Sequence, residues 1–275
     1  MELVTILYIA DICGRAGRQA AAHMIKPLRQ NLAADYVIAN VENAAAGFGI
    51  TPEMSRKAFS YGIDIQTSGN HIWDRQEITK YFEENPKLLR PANYPLRAPG
   101  RGWFVDTIGI WKIATLNLMG RTYMKDIDCP FQVADRDLTA ISEQTSIIFV
   151  DMHAEATSEK QAMLYYLDGR ASAVIGSHTH VQTADEHIST RGTAYITDAG
   201  MTGPHDSIIG MEKQPALERF LTGMPFRFTA ASDDVKLSGV VLKIDPADGK
   251  AHSIERIRLD FDLQSVRPDP NLVDI

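Results

Sequence analysis

Apolar and polar positions alternate in blocks along the first 180 residues, with strand-length apolar runs giving way to helical stretches. Leu3–Ala10 (LVTILYIA) is a continuous apolar run, and Ala16–Leu32, rich in Ala, Arg and Gln, has helical composition. Tyr36–Val41 predicts a second strand. Thr51 as N-cap, Pro52 at the first helical position and Glu53 as an early acid predict a helix start. Ile63–Thr67 predicts a third strand, and Asp74 with Glu77 forms a capping-box-like start for a helix to about Asn85. Four prolines between Pro86 and Gly102 predict an ordered loop or insertion. Trp103–Leu118 predicts a hairpin turning near Ile108-Gly109. Gln132–Gln144 is helical in character, Ser146–Val150 a strand, Ser158–Leu167 a helix and Ser172–Ile175 another strand. Beyond residue 190 helical patterns thin out, and Thr193–Thr197, Val235–Ile244 and Ser253–Leu259 read as strands.

Strands alternating with helices, followed by strands meeting strands, point to an α/β layered fold. One mixed sheet, or two sheets face to face with helices outside, satisfies the pattern equally. The 275 residues allow one large domain or two small ones. Hydrophobic residues at 44% and charged residues at 23% describe an ordinary globular chain, able to bury a core without disulfide or zinc staples. The formal charge of −7 disfavours broad adhesion to nucleic acid or anionic membranes, though not a small basic pocket for one phosphate. Two distant cysteines, Cys13 and Cys129, make no disulfide framework. The start of the chain lacks a basic region and carries Asp11 where a secretory signal stays apolar. No apolar stretch approaches the roughly 18 residues of a membrane span. A cytoplasmic protein that does not enter the membrane is the expectation.

Chemistry enters through position. Asp11, Glu42, Asn43, Asn70, His71, His153, His178 and His180 each fall at or just after the end of a predicted strand. In open α/β sheets ligands bind at the carboxyl ends of the strands. Taken alone, Asp11 reads more simply as a helix cap, and Glu42 and Asn43 as turn residues. A lone His153 is ordinarily structural, and His71 is evenly balanced between a structural and a chemical role. His178 and His180 differ, because residues at i and i+2 share a face of a strand and can converge on one ion in a strand-end loop. All eight in one arrangement outweigh the individual readings. Imidazole, carboxylate and amide oxygen suit Zn, Mn or Fe(II), and the lack of ligating Cys disfavours thiolate sites. The donors are too many for one ion, whereas two ions ~3.5–4 Å apart with a bridging carboxylate and hydroxide would use them all.

Gly69-Asn70-His71 and Gly176-Ser177-His178-Thr179-His180 resemble the motifs of calcineurin-like metallophosphoesterases. Ile9–Arg18, Asn40–Thr51, Ser68–Asp74 and Thr197–Gly210 resemble the YmdB-like bacterial branch, and the similarity covers nearly the whole chain. The usual Asp-x-His is here Asp11-Ile12-Cys13, and the usual Gly-Asp bridging motif is Val41-Glu42-Asn43. The branch shares both departures. Ala10 stands where that branch commonly has glycine.

The resemblance implies a layered αββα sandwich, residues 1–275 forming one domain, with the metal site at the carboxyl ends of the strands. It implies that Asp11, Asn43 and His180 hold one ion, that Asn70, His153 and His178 hold the other, and that Glu42 bridges them. His71 is then no ligand but the general acid at the leaving-group oxygen. The implied cofactors are two divalent ions, Fe or Mn with Zn also compatible. The implied activity is hydrolysis of 2′,3′-cyclic nucleotides or a similar small phosphodiester by a homo-oligomer, without long nucleic acid. A phosphomonoesterase, an RNA phosphodiesterase and a metal- and nucleotide-binding regulator acting through a partner are the alternatives.

Other features are weaker. Gly14–Arg18 lacks the Gly-Lys-Ser/Thr end of a triphosphate loop; Arg15 and Arg18 are expected in helix-start salt bridges, with phosphate contact as the lesser alternative. Cys13 is expected in packing. Asn93-Tyr94-Pro95 is a lid or a surface loop, Met201–Gly210 a loop near the site, and His23, His187, His205 and His252 lack a strand-end pattern.

Overall fold

The structure is a computed structural model that describes residues 3–262. In chain order its elements begin with β1 (Val4–Ile9), β2 (Asp11–Ile12), α1 (Gly14–Asn31), β3 (Tyr36–Asn40), α2 (Pro52–Ser60), β4 (Ile65–Thr67) and α3 (Ile78–Glu84). The middle of the chain forms β5 (Trp103–Ile108), β6 (Trp111–Met119), α4 (Pro130–Ser142), β7 (Ile147–His153), α5 (Thr157–Leu167) and β8 (Ala173–Ser177). Then follow β9 (His187–Ile188), β10 (Ala194–Ile196), β11 (Met201–Pro204), α6 (Lys213–Thr222), β12 (Val235–Ile244) and β13 (Ala251–Asp260).

The alternation along β1 decides the layering. Every residue of β1 is buried, as expected of a strand covered on both faces. Val4, Ile6 and Tyr8 enter a core that also takes Ile113, Phe149, Ile175 and Ile196 from the second sheet. Leu7 and Ile9 point the other way, into a core shared with Ala21 and Ile25 of α1. A third core joins Leu116, Val150 and Val174 to Val133 and Leu138 of α4 and to Met163 and Leu164 of α5. The result is helix, sheet, sheet, helix: two sheets face to face, rather than one mixed sheet.

The first sheet runs β2-β11-β12-β1-β3-β4 with β13 beside β12, and the second runs β5-β6-β7-β8-β10-β9. β1, β3 and β4 are parallel, and so are β6, β7, β8 and β10. Antiparallel β12 pairs with β1 from Val4–Ile244 to Ile9–Gly239, so the late strand lies beside the first one. No helix among the described residues is long and apolar enough to cross a membrane.

Several local expectations hold. Thr51 Oγ1 accepts the Met54 amide at 3.2 Å with Pro52 opening α2, and β5 and β6 form the hairpin. Three do not. The capping box at Asp74 is not formed: α3 starts at Ile78, because the Asp74 carboxylate is taken by His71 Nδ1 at 2.8 Å. Met201–Gly210 is not all loop, since its first residues form β11 against β2 and β12. α6, for which the sequence pattern beyond residue 190 gives no sign, turns no apolar stripe inward: Ala216 is its buried residue, while Leu217, Phe220 and Leu221 stay exposed.

Gly17 is where α1 lies against β11, and a Cβ there would overlap the Thr202 carbonyl. Alanine in mid-helix ordinarily gains about 1 kcal/mol over glycine. Gly17→Ala should instead destabilise the protein by about 1–3 kcal/mol, the cost of overpacking against backbone. Urea denaturation checks this, and a gain in stability would show that α1 can lift away from β11.

Candidate metal centre

The parallel strands of both sheets aim their carboxyl ends at one place. β1 leads into Asp11, β3 into Glu42 and Asn43, and β4 into Asn70 and His71, while β7 ends on His153 and β8 leads into His178 and His180. Asp11 is not a helix cap: Cys13 holds that position, and Asp11 Oδ2 accepts the His178 amide at 3.0 Å. Asn43 Oδ1 lies 3.3 Å and Asp11 Oδ2 3.5 Å from His180 Nε2. His153 Nε2 lies 3.0 Å from Glu42 Oε1, 3.0 Å from Asn70 Oδ1 and 3.1 Å from His178 Nδ1. The structure therefore brings the seven expected ligands into two adjoining groups. His71 stands at their edge, with its amide on Glu42 Oε2 at 3.1 Å and its ring facing Phe48 edge-on at 5.0 Å.

Each imidazole is gripped from behind. His180 Nδ1 donates to the Ile209 carbonyl at 2.9 Å, leaving Nε2 toward Asn43. Ser177 donates its hydroxyl to Asp151 Oδ1 at 2.6 Å, so its oxygen is free to accept from His153 Nδ1 at 3.0 Å. His178 Nε2 meets Glu155 Oε2 at 3.1 Å, which turns Nδ1 toward the other donors. Such outer partners set which ring nitrogen is a lone pair and which a donor. Sequence patterns missed Glu155, Asp151 and Ser177. Glu155 had one available signal, standing two residues beyond His153 where β7 ends.

The loop after β8 is held in an unusual conformation. His178 has φ 103° and His180 φ 65°, in the left-handed region that non-glycine residues seldom occupy. Asp198, fully buried, accepts the Thr179 amide at 2.9 Å and hydroxyl at 2.8 Å, while the equally buried Lys160 donates to it at 2.7 Å. The ion pair thus pins the residue between the two histidines. Arg18 is buried and donates to the Ala44 carbonyl, bracing the turn that carries Asn43. Asn93 is neither lid nor surface: it is buried, bonded to the Met119 and Asp128 carbonyls at 2.7 and 3.0 Å.

Burial disfavours charge on His153, yet Glu42, Asp11 and Asp151 overcome it and raise the ring to about 9. Burial likewise opposes charge on Glu42, but His153 and His71 outweigh it and bring the carboxyl down to about 2. Burial, reinforced by neighbouring His153, lowers His178 to about 3. Asp11, fully buried, is pushed well above the usual carboxylate range by burial although His153 works the other way.

Divalent cations fit these residues. Buried Asp11 Oδ1 has no hydrogen-bond partner among the described residues, a costly state for a carboxylate unless a cation meets it. The ligand atoms of Glu42, His153 and His178 all lie within 4.8 Å of one another. Gly69 leaves open a space that a Cβ would fill, overlapping His153 Nε2 and coming 2.5 Å from Glu42 Oε2. Imidazole nitrogen with carboxylate and amide oxygen is a donor set for Fe, Mn or Zn. Beside the donors opens a cavity of about 470 Å³, whose wall runs from Glu42 and His71 past Phe48 and Met211 to Phe220 and Phe228.

A family described as YmdB-like protein matches residues 7–257. The 2′,3′-cyclic-nucleotide 2′-phosphodiesterase of Bacillus subtilis (strain 168) is 46% identical over 257 residues, covering 94% of this chain and 97% of that protein. A crystal structure of a hypothetical protein from Thermus thermophilus superposes with a TM-score of 0.89 at 39% identity, over 94% of this chain and 100% of that one. That of a novel phosphatase from Mycoplasma pneumoniae also gives 0.89, at 30% identity over 99% and 100% of the two chains.

Because His153 is held to about 9 by its carboxylates, an ion taken up at Nε2 must displace a proton below that pH. The apparent affinity for Mn(II) should rise with pH, by at least about tenfold per unit while His153 carries its proton, and level off once the ligands are deprotonated. Calorimetric titration at several pH values measures the slope. A flat profile would mean that His153 takes no part in holding the ion.

Proposed function

The chain belongs to the YmdB-like family, and from that membership we propose that it is a dinuclear metal-dependent phosphodiesterase acting on 2′,3′-cyclic nucleotides. The observation that carries the reading is the meeting of seven donor residues with His71 at the rim of a cavity able to take a small phosphodiester. The relative from Bacillus subtilis, similar over nearly its full length, supplies the substrate class. The reading keeps the chain as one domain, since β12 pairs with β1 and the donors come from both sheets.

In this reading Asp11, Asn43 and His180 hold one ion, Asn70, His153 and His178 the second, and Glu42 is shared. Fe or Mn is the expected metal, with Zn compatible. Bound divalent ions would supply Lewis acidity, ionising a water near neutral pH and neutralising phosphate charge.

The remaining work falls to the chain. His71 is the general acid. Asp74 takes the Nδ1 side of its ring at 2.8 Å, which presents Nε2 to the cavity, where it delivers a proton to the departing ribose oxygen. Phe48 packs on the ring and keeps it from swinging out. The Glu42 bond to the His71 amide ties the proton donor to the donor cluster, so the departing oxygen and the phosphate are addressed by one rigid turn. A ribose alkoxide is a poor leaving group and depends on that proton.

A second reading is a phosphomonoesterase, favoured by the similarity to a protein described as a novel phosphatase. Comparing 2′,3′-cyclic AMP with its monophosphate products as substrates of the Mn- or Fe(II)-loaded protein separates the two.

His71→Ala should slow hydrolysis of 2′,3′-cyclic AMP by about 10²–10⁴-fold. Bis-p-nitrophenyl phosphate should lose far less, because nitrophenolate departs without a proton. Steady-state rates on both substrates give the comparison. Equal losses would remove His71 from the general-acid role, and no turnover by metal-loaded wild type would sink the phosphodiesterase reading itself.

A further inference from the structure

The cavity beside the donor cluster has two chemically different halves. One is made of carboxylate, amide and imidazole groups. The other is apolar and built on a small buried cluster, in which Phe48 and Phe228 pack on Cys13, Met201 and Met211. Gly47, at φ 90°, lines the same wall and approaches Met211 so closely that a Cβ would overlap its methyl group. Phe48 starts the wall next to the His71 ring. At its far end Phe220 lines the same cavity although it is 80% exposed. Arg219 places its guanidinium 5.3 Å from the Phe228 ring centroid.

A scattered exposed apolar residue needs no explanation. An exposed ring that lines a concave site, with a second ring under a guanidinium in the same lining, is different, because both offer flat faces to the cavity into which the donors open. We infer that Phe48, Met211, Phe220 and Phe228 form a nucleobase subsite, which takes the planar base of a mononucleotide whose phosphate lies at the donor cluster. The inference deepens the phosphodiesterase reading and rests on it for the position of the phosphate. Ring faces stack on every base, so the wall supplies affinity without a strict choice among bases. Arg219 adds donors suited to acceptor edges such as O6 and N7 of guanine. A cavity of about 470 Å³ has the size of a small-molecule site and suits one nucleotide rather than a polymer.

Leu217, Leu221 and Met224 continue the exposed apolar surface of α6 and the residues after it, so a second copy of the chain is the rival occupant. Adenosine 3′-monophosphate and ribose 3-phosphate share the sugar phosphate and differ at C1, where one carries the base and the other a hydroxyl. Calorimetry on the Mn(II)-loaded full chain should show the nucleotide bound at least about tenfold more tightly than the sugar phosphate. In Phe220→Ala that gap should shrink toward none, and Arg219→Ala should weaken guanosine monophosphate more than its adenosine counterpart. Equal affinities in wild type overturn the subsite. So does a Phe220→Ala variant that weakens both ligands alike, or one that changes the sedimenting mass while the gap stays intact. Failure of the phosphodiesterase reading shows separately, as absent turnover of 2′,3′-cyclic AMP with the base-dependent gap unchanged.

Discussion

His153 sits fully buried between two carboxylates, with Glu42 at 3.0 Å on one side of the ring and Asp151 reached through Ser177 on the other. Charge buried away from water is tolerated only where it is paired or meets a metal. That constraint shapes the whole end of the molecule. Asp151 gathers hydroxyls from Tyr8, Thr67 and Ser177, drawn from β1, β4 and β8, so the two sheets are joined by polar bonds near the site and by apolar packing elsewhere.

The same logic extends to the loop after β8. Its two histidines adopt backbone angles that cost energy, and the buried Lys160–Asp198 pair holds Thr179 between them. A buried ion pair contributes little net stability over an apolar one. Here it gives a fixed place to stand, because a looser partner would let the loop relax and turn His178 and His180 away from the other donors.

Around that rigid centre the chemistry divides by position. Donor groups lie deep, His71 lies at the rim with Asp74 behind it, and apolar rings lie beyond. Phosphate chemistry addresses only the phosphate. Recognition of the rest of a substrate would depend on the surface outside the donors, to which α6 contributes Phe220 in the cavity wall.

Much of this was legible in the sequence, because it follows from local rules. Strand-length apolar runs and stretches of helical composition mark strands and helices, and the eight chemistry-bearing residues stood out by falling at strand ends. The motifs around Asn70, His71, His178 and His180 carried the family. The choice between one mixed sheet and two facing sheets could not be read from the pattern, since both bury the same faces; the separate strand orders and the shared core of Tyr8 and Phe149 decide it. Nor could the partners behind the imidazoles be read. Glu155, Asp151, Asp198 and Lys160 look like ordinary surface charge in the chain, and Asp74 like a helix cap. What such a side chain does depends on which group folding brings within about 3 Å, and that distance is set by packing between segments far apart in the chain.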